Sequence, residues 1–167
     1  MFRKPHSLHG SGLREPQRIK VGLTMNSSTI SADVKVRCVV QQQTIAPVAA
    51  SFFYSRADPY AIRLAFHVGL DEPIEWVFAR DLLSTGMAAT AGSGDVLVWP
   101  SAGSEGGAEG GVLNIELWSS FGQARFEAPA DEISDFVRRT CEIVPAGEES
   151  DHLNFDSELT DLLRLGL

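Results

Sequence analysis

The stretch Asp58–Ser101 reads DPYAIRLAFHVGLDEPIEWVFARDLLSTGMAATAGSGDVLVWPS, and it decides the fold class of this chain. Ile62, Leu64, Phe66 and Val68 alternate with Arg63, Ala65 and His67, the period of a half-buried strand. Gly69 through Pro73 makes a turn, and Ile74–Phe78 forms a further strand. The period then changes. Ala79–Thr85 carries Leu82 and Leu83 among polar neighbours, and Gly86 stands where a left-handed C-cap belongs, so a helix of two turns is expected. Gly92-Ser93-Gly94-Asp95 turns the chain into a strand over Val96–Trp99, closed by Pro100. The stretch is rich in Trp, Phe and Val and poor in titrating pairs, which suits packing and contact better than catalysis.

Working outward, Ile30–Thr44 alternates, with Val34, Val36, Cys38 and Val40 opposite Lys35, Arg37 and Gln41. Pro47 is expected to end that strand. Ala50–Ser55 follows as a short strand with Phe52, Phe53 and Tyr54, and Arg56–Pro59 turns it back. Downstream, Ala102–Gly111 (AGSEGGAEGG) reads as a flexible hairpin loop. Leu113, Ile115 and Leu117 share one face of a strand over Val112–Ser119, and Ala124 and Phe126 share one face of Gln123–Ala128. A helix then opens at Pro129, with Asp131 and Glu132 favoured by its dipole. Its apolar positions are Ile133, Phe136, Val137, Cys141 and Val144. A second helix is expected from Asp156 to Leu165, carrying Leu159, Leu162, Leu163 and Leu165. Four strands, a helix, three strands and two helices, joined by tight turns, make an α+β domain with antiparallel pairing.

A chain of 167 residues suffices for one domain with a proper core. The formal net charge of −8 is uneven. Residues 1–24 carry Arg3, Lys4, Arg14, Arg18 and Lys20 against Glu15 alone, so the remainder is strongly acidic. An acidic body repels phosphate backbones. Residues 1–24 are broken by Pro5, Gly10, Gly12 and Pro16 and read as a disordered extension or a basic arm; the folded domain spans 25–167. Cys38 and Cys141 read as buried thiols rather than a disulfide. No apolar run reaches the ~20 residues that cross a bilayer, and the N-terminus lacks the apolar core of a signal peptide. A cytoplasmic location is expected.

Candidate chemistry fails on context. His6 and His9 lie in the extension, His152 in an acidic linker, and His67 on a strand with no nucleophile beside it in sequence. The acidic pairs Asp71 with Glu72 and Glu75 with Asp81 have no spacing that marks an acid–base dyad. Gly92–Asp95 precedes a strand rather than opening a helix, and Ala102–Gly111 lacks the Lys-Ser/Thr of a phosphate loop and carries Glu105 and Glu109. No metal, cofactor or nucleophile motif is present, so a non-enzymatic protein without cofactors is expected. Phe52, Tyr54, Tyr60, Trp76, Trp99 and Trp118 raise the alternative of a single-stranded nucleic-acid binder that stacks bases. Core filling is the blander account of those rings, and the acidic body favours it.

Asp58-Pro59-Tyr60-Ala61, Glu75 through Leu83, Gly92 through Val96 and Val98-Trp99-Pro100-Ser101 together resemble the SsgA-like family of actinobacterial sporulation and cell-division proteins, most nearly its SsgB type. Phe126–Pro129 and Phe155–Leu159 fit the same pattern, and the resemblance spans about Asn26–Leu165. It implies a whirly-like fold of two antiparallel sheets with helices, assembled as a bell-shaped homotrimer. It further implies that the protein helps recruit the tubulin-like division GTPase FtsZ to septum sites, alongside an SsgA-type paralogue. Partner contact is expected through the turns and short helix of the central block, with Arg80, Asp81 and Asp95 as polar contributors. Leu162 and Leu163 of the terminal helix are expected to pack on the sheet or on a neighbouring subunit.

Overall fold

The computed structural model describes residues 28–40, 43–69, 72–101, 111–153 and 163–164. Seven strands form one antiparallel sheet: β1 (Thr29–Val40), β2 (Gln43–Ser55), β3 (Asp58–His67), β4 (Ile74–Ala79), β5 (Val96–Ser101), β6 (Val112–Ser119) and β7 (Gly122–Pro129). Helix α1 (Arg80–Gly86) follows β4 directly, α2 (Ala130–Ile143) follows β7, and a 3-10 turn occupies Glu149–His152. The strand order is β4-β3-β2-β1-β7-β6-β5.

That order corrects the expectation of two sheets. β1 pairs with β2 from Thr29 to Val40, and its Arg37, Cys38 and Val39 also pair with Glu127, Phe126 and Arg125 of β7. The hairpin sets β1–β4 and β5–β7 are therefore fused through β1. An ion pair between Arg37 and Glu127 spans the seam. The single sheet is curled. Phe66 on β3 and Phe126 on β7 stack with ring centroids 4.0 Å apart. In a flat sheet these strands would lie three spacings, ~14 Å, apart. Curling brings their inner faces together as a half-barrel.

The core fills the concave side. Val36, Phe52, Ile62, Leu64, Leu113 and Ile115 face inward, and Ile133, Phe136 and Val137 of α2 close over them. The Phe52 and Phe136 rings lie 5.7 Å apart. The period-2 alternation of the strands and the helical spacing of α2 thus meet on one interior.

Three local readings are corrected. Pro47 lies inside β2, opposite Arg37. β3 pairing begins only at Ala49, so on that side the missing N–H costs no ladder bond. Gly86 is the last residue of α1 rather than a left-handed cap; Met87 caps the helix with φ −71°. Glycine is needed there because a Cβ would stand 2.3 Å from Val98 Cγ1, where α1 packs on β5. Cys38 and Cys141 are free but only half-buried; burial still raises the Cys38 thiol above its ordinary range. The expected helix over Asp156–Leu165 falls mostly outside the described residues, of which Leu163 and Arg164 are helical.

Candidate interaction site

The central block contributes β3, β4, α1 and β5, but it divides its residues between the interior and the surface. Arg80 opens α1 and turns inward, with only 2% of its surface exposed. Its Nη1 donates to Tyr54 Oη at 3.1 Å and to the Val144 carbonyl at 2.6 Å. Nη2 pairs with the Glu149 carboxylate. The guanidinium carbon lies 5.2 Å from the Tyr54 ring centroid. Tyr54 in turn donates to the Pro59 carbonyl at 3.1 Å, and the Gly147 N–H donates to Glu149 Oε2 at 2.8 Å. Arg80 is therefore removed from the surface contact expected of it. It is the hub that ties α1, β2, the end of α2 and the 3-10 turn together.

The electrostatics fit that role. The Glu149 carboxyl is held below the usual carboxylate range by its own backbone N–H and by Arg80. Burial pushes the Tyr54 hydroxyl up, against the lowering pull of the Arg80 charge. A buried guanidinium needs acceptors for its donors, and Tyr54 and Val144 supply them to Nη1 and Glu149 to Nη2.

The other expected contact residues lie outside. Asp81 is exposed in the first turn of α1, and Asp95 is exposed in the turn before β5. The Asp95 carbonyl accepts the Trp118 N–H at 2.9 Å, which fixes that turn against β6. Gly92, with φ +99°, brings its backbone close to the Val96 carbonyl, where a Cβ would stand 2.2 Å away. Leu163 is exposed, and Leu162 lies outside the described residues. Of the aromatic residues weighed for base stacking, Phe52 and Tyr54 are buried in the core, whereas Tyr60 and Trp118 are exposed.

Two features escaped sequence reasoning. On the convex face Ser51 Oγ donates to Asp33 Oδ1 at 2.6 Å and lies 2.9 Å from His67 Nε2. The serine proton is committed to Asp33, so Nε2 must donate to Oγ. With the imidazole donating, His67 does not act as a base toward the serine. The cluster is a polar clasp across β1, β2 and β3. The β1–β2 register, which sets Asp33 opposite Ser51, is the signal that would have revealed it.

The second feature is a groove of about 290 Å³ at the end of the half-barrel away from the helices. Phe66, Ile74, Trp76, Leu117, Phe121 and Phe126 line it. Phe121, at the β6–β7 turn, is fully exposed. Among the described residues no cluster of His, Cys, Asp or Glu is placed to hold a metal ion, and no helix is long and apolar enough to cross a membrane.

Residues 48–149 match the family described as Streptomyces sporulation and cell division protein, SsgA. The sporulation-specific cell division protein SsgB of Thermobifida fusca is 45% identical over 141 residues, which cover 84% of this chain and 99% of the relative. The SsgB of Streptomyces coelicolor is 44% identical over 137 residues, covering 82% and 97%. A crystal structure of the SsgA-like sporulation-specific cell division protein from Thermobifida fusca superposes with a TM-score of 0.70 at 47% identity, covering 82% of this chain and 98% of that one. A structure of SsgB, described in terms of mutations that correlate with longitudinal cell division during sporulation of Streptomyces coelicolor, gives 0.69 at 44% identity, covering 75% and 95%. The chain belongs to the SsgA family of non-enzymatic sporulation and cell-division proteins.

Proposed function

We propose that this protein is an adaptor that helps position sporulation septa by recruiting the tubulin-like division GTPase FtsZ through protein contacts. The observation that carries the reading is the near full-length similarity to SsgB-type sporulation-specific division proteins. Contact rather than turnover follows from membership of a family of non-enzymatic division proteins. The working form is a homo-oligomer, a trimer, acting in the cytoplasm at septum sites together with an SsgA-type paralogue. Repeated copies of one weak surface gain avidity on a filament that is itself repetitive. Asp81 and Asp95, exposed on either side of the α1–β5 connection, are the polar contacts assigned to that surface.

The test is sedimentation with GTP-assembled division filaments. The protein is expected in the pellet, and Asp81→Lys with Asp95→Lys is expected to return it to the supernatant while leaving the fold intact. Absence from the pellet at every filament concentration would sink the reading. Tight binding of a single-stranded oligonucleotide at physiological salt would instead support the stacking alternative.

A further inference from the structure

The sheet has two edges, and they are finished differently. β5 carries Pro100, and its Val98 exchanges backbone bonds with Ala91 at 2.8 and 2.9 Å, so that edge is covered. β4 pairs only with β3 among the described residues. It has no proline within Ile74–Ala79, and it exposes 53% of Ile74 and 63% of Val77. Folded proteins usually blunt such an edge with charge, proline or a bulge. This edge is left able to pair, and the apolar groove opens along its inner face through Ile74 and Trp76.

The chain itself contains a segment that matches. Arg18-Ile19-Lys20-Val21-Gly22-Leu23-Thr24-Met25 alternates, with Ile19, Val21, Leu23 and Met25 on one face and Arg18 and Lys20 on the other. β4 alternates in the same way, with Ile74, Trp76 and Phe78 inward and Glu75 and Val77 outward. A strand beside β4 would place its apolar residues over the groove and its cations beside the exposed Glu72 and beside Glu75, which also pairs with Arg63 of β3 at 3.1 Å. We propose that residues 18–25 of a neighbouring copy add to β4 as an eighth strand, linking copies of this chain by strand exchange.

Reach assigns the segment to a neighbour. Four Cα steps separate Met25 from Thr29, ~15 Å at full extension. A strand beyond β4 lies four spacings from β1, ~19 Å along the sheet, and the filled core closes the shorter path across the concave side.

Disulfide trapping in the full chain tests it. Ile74→Cys protein is mixed with Ile19→Cys protein and, separately, with Leu23→Cys protein. A crosslinked pair of unlike chains is expected in one of the two mixtures, and which one reports the strand direction. In sedimentation velocity, Ile74→Lys or Lys20→Glu is expected to weaken self-association at least tenfold, with unchanged circular dichroism. Lys20→Glu combined with Glu75→Lys is expected to restore part of it. Crosslinking only within a single chain carrying both cysteines overturns the exchange between copies. Crosslinking of Ile74→Cys to itself alone shows β4 pairing with β4 and overturns the role of the segment. Association unchanged by both charge variants overturns the proposal outright.

Discussion

At the helix end of the half-barrel, Phe136 and Ile133 fill the opening and Arg80 satisfies its donors on Tyr54, Val144 and Glu149. At the opposite end, Phe66, Trp76 and Phe126 line a groove and Phe121 stands fully exposed at the β6–β7 turn. The same sheet thus ends in a sealed cap and in an open apolar mouth. Both ends are built from alternating strands with aromatic residues on their inner faces. What differs is the element that follows: α1 and α2 fold back over one end, and no described helix covers the other. The sealed end carries stability, and the open end is available for contact.

The strongest way to break the sealed end is Arg80→Met. It removes the cation from Glu149 and leaves the buried Tyr54 hydroxyl and Val144 carbonyl without their donor, and each buried acceptor left bare costs about 1–3 kcal/mol. Chemical denaturation measures this, and a loss below ~1 kcal/mol would show that the hub is not what holds this end closed. Gly86→Ala comes next. The new Cβ meets Val98, a fully buried β-branched residue that cannot swing aside, and overpacking of this kind costs about 1–3 kcal/mol. A variant as stable as the parent would mean that α1 can slide on β5.

The third effect is one of pH. The folded-state Glu149 carboxyl titrates below its unfolded value, so its contribution is complete above about pH 4.3 and is lost as pH falls through the depressed folded value. Acid unfolding of Glu149→Gln is expected to have a shallower slope in that window, and identical slopes would count against the Arg80–Glu149 linkage. The smallest effect on stability belongs to the open mouth. Phe121→Ser is expected to shift stability by no more than about 0.5 kcal/mol, because the ring buries nothing in the single chain. Its effect should appear instead in association, read by sedimentation velocity. A large loss of stability would place Phe121 in the fold rather than at a contact.

Element type was readable because each strand carries its own period. Ile62, Leu64 and Phe66 alternate within one segment, and they are buried together. The helix at Ala130–Ile143 was readable from Ile133, Phe136 and Val137 in the same way. Position on the surface was less readable. Arg80 and Asp81 are adjacent charges at the start of one short helix, and nothing local separates them. Only the arrival of Tyr54, Val144 and Glu149 around the guanidinium turns Arg80 inward while Asp81 stays in water. The Asp33–Ser51–His67 clasp was hidden for a related reason. Its members come from three strands, and their meeting depends on register.

Family membership, the α+β class, the seven strands and their antiparallel hairpins rest on short-range pattern, so the sequence by itself determined them. The fusion into one curled sheet depends on the pairing of Arg37, Cys38 and Val39 with β7, some ninety residues away. The choice between a buried and an exposed cation, and the open groove beside an unpaired edge, likewise depend on which faces meet. These only the tertiary structure decided, because burial and pairing are properties of neighbours in space, and a local period fixes a face without naming what will cover it.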